Sequence, residues 1–258
     1  MNFASTARLH EQNWTRLGFF AVLKGMRLSP AVLELDSMVV NIELTLASIV
    51  QGVALTFLIE NTRSVLSIHG ANSWLYALTG LCIIFIFWSR SILHTLTLIR
   101  WPLEFGHNFL YIACSLAECL LFTRLTNPKA WFELSMIYGI AVWLLFAYDL
   151  RMTCAREADP ASETSGRLCQ LIERDSWLNI RVLMPVLVVF NGLCAACVSR
   201  WPAFFIAQHG HLWLIAGQFL GLAIYLRYVL RFASRLAPIV AIRQEERRAL
   251  GATSQTRD

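Results

Sequence analysis

The sequence predicts an all-α protein, a polytopic bundle of six transmembrane helices with both termini in the cytoplasm. Hydrophobic residues make up 57% of the chain and charged residues 15%, whereas about 25% of a typical soluble domain is charged. Six apolar stretches are long enough, or nearly so, to cross a hydrocarbon core about 30 Å thick. All but four of the 22 Lys and Arg residues fall on one side of this topology, which positive charge predicts to be cytoplasmic. The four exceptions are Arg63, Arg124, Lys129 and Arg200.

Residues 1–36 precede the first span and are expected to form a cytoplasmic or interfacial amphipathic segment. The apolar run at 17–23 is followed at once by Lys24 and has no small-x-small cleavage site, so we expect no cleaved signal peptide. Aromatic side chains of this segment would face lipid and its basic side chains the headgroups. The alternative is a helix that packs against the bundle.

The remaining chain divides into spans and two polar segments. Spans one to four occupy 37–149, a cytoplasmic loop 150–177, spans five and six 178–232, and a cytoplasmic C-terminal helix and tail 233–258. The individual spans are predicted at 37–59, 73–95, 107–125, 131–149, 178–199 and 203–230.

Two interruptions of regular structure are expected on the cytoplasmic side. Residues 159–166 are rich in small and polar residues and predict a flexible linker, followed by a short helix from Arg167 into the fifth span. The C-terminal helix is expected to break or kink near Pro238, because proline removes a backbone hydrogen bond from a helix interior.

The first span has three distinct sides at about 100° per residue. One side is apolar and is expected to face lipid, and a second is small and hydroxylated, which suits close contact with another helix. The third includes Glu43 and Gln51. The apolar side consists of Val39, Ile42, Leu46, Ile49, Val50, Val53 and Phe57, and the hydroxylated side of Asn41, Thr45, Ser48, Gly52 and Thr56.

Glu43 and Arg90 lie at matching heights near the cytoplasmic ends of spans one and two. An unpaired carboxylate inside the membrane is costly, so we expect a Glu43–Arg90 ion pair. His94 follows Arg90 by one turn on the same face. The alternative is that Arg90 and His94 extend to the inner headgroups.

Further polar side chains lie deeper in the predicted bundle. Glu118 is close to the midplane of span three, and Gln51, Asn191 and Gln218 lie at comparable depth on other spans. Intramembrane acids are candidates for an ion or proton path. The same residues also fit a bundle held by interhelical hydrogen bonds, worth about 1 kcal/mol each.

An internal echo suggests an inverted repeat of three spans. Arg100-Trp101-Pro102 precedes span three and Arg200-Trp201-Pro202 precedes span six, and each is followed by a Gly-His pair. Inverted repeats are typical of transporters. The alternative is that arginine, tryptophan and proline are each common at membrane interfaces and helix starts.

No enzyme, metal or cofactor motif is present in the sequence. There is no phosphate loop, no Gly-x-Ser-x-Gly and no His-Glu-x-x-His, so no catalytic residue, metal ligand or cofactor is predicted. A haem between His94 and His107, or between His69 and His209 or His211, is the weaker redox alternative. The net charge of +5 comes from basic residues beside the spans, so no nucleic acid partner is predicted.

The pattern favours a bacterial inner-membrane protein, surrounded by the lipid bilayer, that transports a small ion or proton through a polar interior. Homo-oligomerisation is one expectation for such a path. The alternative function is a membrane-embedded sensor, effector or scaffold whose cytoplasmic segments bind a protein partner. The candidate path residues are Glu43, Gln51, Arg90, His94, Glu118, Asn191 and Gln218.

Reporter fusions test the predicted topology. Fusions after residues 66, 127 and 200 should report an external location, and fusions after residues 102, 165 and 250 a cytoplasmic one, because the positive charge follows that alternation. A cytoplasmic signal from the fusion after residue 127 would contradict the six-span topology.

Overall fold

The computed structural model describes residues 30–69, 74–98, 105–156 and 163–255. These residues form seven α-helices and two π-helical turns, and no strand occurs among them. The α-helices are α1 Pro30–His69, α2 Trp74–Leu98, α3 Phe105–Phe122, α4 Pro128–Arg156, α5 Glu163–Leu178, α6 Met184–Arg200 and α7 His211–Gln255. The π-helical turns are Asn179–Leu183, which joins α5 to α6, and Ala203–Ala207, which precedes α7.

Six helical segments are long and apolar enough to cross a membrane, so the predicted all-α, six-span bundle is confirmed. Apolar side chains such as Phe109 and Trp213 are 73% and 81% exposed on the outer surface, as expected of helices that face lipid. The segments are Ser37–Val65, Trp74–Thr97, Phe105–Phe122, Pro128–Met152, Gly166–Arg200 and His211–Ile242. We call the face where α1 begins and α7 ends the terminal face, and the opposite face the distal face.

The core of the distal half is aromatic and closely packed. Trp131, Phe122 and Phe132 are fully buried. Gly80 permits this packing, because a β-carbon there would lie 2.8 Å from Leu58 Cδ1 and 3.0 Å from Phe122 Cε1. The helices therefore meet without a gap near the distal face, and the polar groups are concentrated nearer the terminal face.

The sixth span starts later than predicted. Residues 203–207 form a π-helical turn rather than the start of α7, which begins at His211. His209 has a positive φ of 58°, and a β-carbon on Gly210 would lie 2.7 Å from the Phe204 ring. This compact reversal explains why an apolar run adjacent to the span does not belong to the long helix.

The predicted cytoplasmic loop 150–177 is partly helical and packed against the bundle. Helix α4 continues to Arg156 and α5 begins at Glu163, while 157–162, which overlap the predicted flexible linker, lie outside the described residues. Leu168 and Ile172 of α5 pack against Leu236 of α7. The short helix predicted from Arg167 therefore begins four residues earlier, and one of its sides is buried against the bundle.

Helix α7 passes through Pro238 without a break, whereas the alternative of a kink there stays a prediction. Proline removes the hydrogen bond to the carbonyl four residues earlier, that of Ser234. Both residues are exposed, so the freed carbonyl is on an accessible side of the helix. The helix extends to Gln255, which places most of the predicted tail in α7.

The hydroxylated side of the first span does not contact another helix of this chain. Its members are exposed, and Thr45, Ser48 and Thr56 each donate a hydrogen bond to the carbonyl four residues earlier in α1. Glu43 and Gln51 lie on the buried side instead. The prediction of a hydroxylated helix contact was wrong within the chain, because these hydroxyls are satisfied by their own helix.

Candidate functional site

A cavity of about 100 Å³ lies among six helices, and each helix from α2 to α7 contributes residues to its wall. None of the lining residues comes from α1. The volume is large enough for a few water molecules, since each occupies about 30 Å³ in the liquid. The polar lining residues are Arg90, Ser91, His94, Thr97, His107, Tyr111, Ser135, Tyr138, Asp149, Asp175, Ser176, Asn191, Gln218 and Tyr225.

Three lining residues form what we call the His–Asp–His cluster: His94 of α2, His107 of α3 and Asp149 of α4. His107 Nδ1 lies 2.8 Å from Asp149 Oδ1, and His94 Nδ1 lies 3.3 Å from Asp149 Oδ2. The imidazole rings are parallel within 11°, with centroids 4.3 Å apart. The three side chains are only 8–12% exposed. One carboxylate is therefore shared by two buried imidazoles from different helices.

A glycine and an aromatic stack position His107. A β-carbon on Gly106 would lie 2.6 Å from the Tyr148 hydroxyl oxygen, so glycine leaves room for the Tyr148 side chain of α4 next to His107. On the other side, the His107 ring stacks on Tyr111, whose ring stacks in turn on Phe87. The imidazole is thereby held from both sides.

A second polar group, the Arg90 network, lies in the same cavity wall. Arg90 Nη2 donates to Asp175 Oδ2 at 2.6 Å, and the Tyr228 hydroxyl donates to Asp175 Oδ1 at 2.6 Å. Asn179 Nδ2 donates to the Asp175 backbone carbonyl and, at 3.2 Å, to its carboxylate. Tyr225 donates to Asn179 Oδ1. The network joins α2, α5, the first π-helical turn and α7.

The predicted Glu43–Arg90 ion pair is therefore wrong. Arg90 bonds to Asp175, and Glu43 accepts a hydrogen bond from Asn108 Nδ2 at 2.8 Å. The Arg90 side chain is 12% exposed and its guanidinium lies 4.8 Å above the Phe146 ring, so it does not extend away from the bundle. Similar heights in the membrane did not identify the partner of Arg90, because Arg90 bonds instead to Asp175 in the short helix that precedes the fifth span.

Glu118 and Gln51 form a separate buried pair outside the cavity wall. Gln51 Nε2 donates to Glu118 Oε2 at 3.3 Å. The side-chain carbonyl oxygen of Gln51 and the second carboxylate oxygen of Glu118, Oε1, have no hydrogen-bond partner among the described residues. A proton on Glu118 would supply the missing donor, because a neutral carboxylic acid has one O–H. No basic side chain in the described part of the chain forms a salt bridge with Glu118.

Asn191 and Gln218 belong to a hydrogen-bond chain on the distal side of the cavity. Trp131 Nε1 donates to Gln218 Oε1, Gln218 Nε2 donates to Asn191 Oδ1, and Asn191 Nδ2 donates to the Leu187 carbonyl, each at 2.8 Å. The chain links α4, α7 and α6. Nearer the distal face, the Tyr76 hydroxyl lies 2.9 Å from His211 Nδ1.

The structure thus separates the seven predicted path residues into two sets. Arg90, His94, Asn191 and Gln218 line the cavity, whereas Glu43, Gln51 and Glu118 do not. The residues that the sequence argument missed are Asp149, Asp175, Asn179, Tyr225 and Tyr228. Asp149 and Asp175 stand at the edges of the predicted loop. Asp175 and Asn179 are four residues apart, which places them on one face of a helix, and this spacing was the signal of a polar helix face in the sequence.

No protein-family model matches the sequence, and no match was found among curated proteins or solved structures. Function must therefore be inferred from the side chains themselves. The cavity joins two carboxylates, a guanidinium and two imidazoles inside an apolar bundle, and such groups are suited to binding an ion.

Removing either member of the Arg90–Asp175 pair should destabilise the protein. Arg90→Gln strands a buried carboxylate and should lower the free energy of unfolding by about 3–5 kcal/mol. Asp175→Asn should also destabilise, and the double variant should regain part of the loss. Thermal unfolding in detergent measures all three.

The exposed pair Lys129–Glu133, with 3.7 Å between its charged atoms, is the matched control. Lys129→Gln should change the unfolding free energy by less than about 1 kcal/mol, because water screens that pair. Strictly additive losses for Arg90→Gln and Asp175→Asn would contradict the coupling.

Proposed function

We propose that this protein is a membrane transporter or channel for a small cation, and that the cavity is its intramembrane binding site. The observation on which the proposal depends is the His–Asp–His cluster, in which Asp149 contacts two imidazoles in the cavity wall. Buried ionisable groups in membrane helices are costly and are usually retained for transport or coupling.

The donor atoms of the wall favour a cation. Arg90 is matched by Asp175 at 2.6 Å, so these two charges cancel locally. Asp149 contacts His94 and His107. A carboxylate beside two imidazoles offers oxygen and nitrogen donors to a cation.

The position of the cavity fits one state of a transport cycle. The fully buried rings of Trp131, Phe122 and Phe132 lie toward the distal face, and in this proposal they are the layer between the cavity and that side. His94 and His107 lie toward the terminal face, since His107 is in the first turn of α3. If the terminal face is cytoplasmic, as the positive charge predicts, the cavity lies toward the cytoplasm and the aromatic layer closes the external path.

The alternative function is a membrane-embedded sensor or scaffold. Helix α7 continues from the end of its span at Ile242 to Gln255, which is about 20 Å of helix at about 1.5 Å per residue. Such an extension would be available to a protein partner on the terminal side. Co-purification of a partner in the absence of any cation flux would favour this function.

Flux in proteoliposomes tests the transport proposal. Vesicles with purified protein should show flux of H⁺, a monovalent metal ion or a divalent metal ion above that of empty vesicles. Asp149→Asn should lower that flux by about tenfold or more, because it removes the carboxylate that contacts both imidazoles in the cavity wall. Glu43→Gln is the matched control, since Glu43 is also a buried acid but lies outside the cavity wall.

Equal loss of flux in Glu43→Gln and Asp149→Asn would show that the cavity is not the binding site. Absence of flux for every cation in the wild-type protein would overturn the transport proposal.

Variants of Glu118 test whether the cation passes through the cavity or along a path beside it. Glu118→Gln should leave flux and stability near the wild-type values, because Glu118 lies outside the cavity wall and a glutamine still pairs with Gln51. Glu118→Leu should lower the unfolding free energy by about 1–3 kcal/mol, because it leaves the buried Gln51 amide without its acceptor. Flux abolished in folded Glu118→Gln protein would show that the path passes through Glu118.

A further inference from the structure

The His–Asp–His cluster has the donor atoms of a transition-metal site, and we infer that it binds a divalent transition-metal ion through His94, His107 and Asp149. The inference rests on the proposed function, because it names the class of cation that the cavity would bind and the transporter would move.

The positions of the donor atoms fit a bound ion. One potential ligand atom from each residue lies within 4.8 Å of the other two. Metal–nitrogen and metal–oxygen bonds of about 2.0–2.2 Å place adjacent ligand atoms about 3.0–3.5 Å apart. The two nitrogen–oxygen distances, 2.8 and 3.3 Å, are already close to that range.

The kind of donor argues for a transition metal over other cations. Mg²⁺ and Ca²⁺ prefer sites built of oxygen ligands. Imidazole is a preferred ligand of Zn²⁺, Fe²⁺, Ni²⁺ and Cu²⁺, and two histidines with one carboxylate form a recurrent set. The cluster has two imidazole nitrogen donors for one carboxylate, so it matches the second group of ions.

The number of ligands fits an ion that has to leave. Closed structural sites for Zn²⁺ use four protein ligands, whereas sites with three protein ligands keep a position for water or another ligand. The cluster borders a cavity of about 100 Å³, so water could complete the coordination. Because its ligands come from α2, α3 and α4, movement of one helix relative to the others would dismantle the site.

Neighbouring side chains hold the two histidines near these positions before any ion binds. His107 is confined by the stack with Tyr111 and by the Tyr148 side chain beside Gly106. His94 lies one helical turn from Arg90, which Asp175 fixes. Such support around ligands raises affinity, and its loss typically costs about 10–100-fold.

Direct binding of Zn²⁺ and Co²⁺ tests the inference. The full chain, purified in detergent without a polyhistidine tag and stripped with a chelator, should bind one ion per chain by equilibrium dialysis with elemental analysis. Bound Co²⁺ should give visible absorption bands, and Zn²⁺ should raise the thermal unfolding temperature because it binds the folded state.

Variants locate the ion. His107→Gln, His94→Gln and Asp149→Asn should each weaken binding by about tenfold or more and remove the thermal shift. Three separate variants guard against one that fails to fold. His209→Asn is the matched control, because His209 lies near His211 on the distal face and asparagine tolerates its positive φ; it should bind as the wild type does.

The outcomes distinguish the inference from the proposed function. No binding of either ion, or binding that the three cluster variants leave unchanged, overturns the metal site. Proton or monovalent flux without metal binding overturns the metal site but supports cation transport. Stoichiometric binding lost in the cluster variants supports the site, and if no cation flux accompanies it, transport is overturned while the metal site stands.

Discussion

The contact between Arg90 and Asp175 sets the arrangement of the terminal half of the protein. A guanidinium inside an apolar bundle needs a partner, since an unpaired buried charge is strongly destabilising. Its partner is on α5, a helix too polar to be anchored by apolar packing alone, with Leu168 and Ile172 as its contribution to a small core. The ion pair thus keeps α5 against α2, and α5 in turn closes one side of the cavity.

Two kinds of polar contact coexist in the bundle, and they differ in whether their groups border a cavity. In the chain from Trp131 through Gln218 to Asn191, each donor has an acceptor and the contacts join helices in the manner expected of interhelical hydrogen bonds. In the His–Asp–His cluster, the groups are ionisable and border a cavity. The first kind of contact holds the helices together, and the second places ionisable groups beside the cavity.

The sequence was sufficient to predict the spans, but not to predict which side chains of different spans contact each other. Apolar length is a local property, so hydropathy located six helices correctly and erred mainly in the start of the fifth segment and in both bounds of the sixth. Partners depend on the order of helices around the bundle, which no single span specifies. Glu43 was therefore assigned to Arg90, and Asp149 and Asp175 were overlooked because polar residues at span borders resemble loop residues. The interior position of His94, Asn191 and Gln218 was predicted, but their neighbours were not.

The length of the fifth apolar segment has a mechanical consequence. Gly166–Arg200 contains 35 residues, or about 52 Å of helix, against a hydrocarbon core of about 30 Å. The surplus has to be accommodated by tilt or by leaving part of α5 among the lipid headgroups. Asp175 lies in α5, the part of the segment that extends beyond the hydrocarbon core. Bilayer thickness therefore affects the tilt or depth of the same helix that is bonded to Arg90. A change of membrane composition would therefore exert a force on one wall of the cavity.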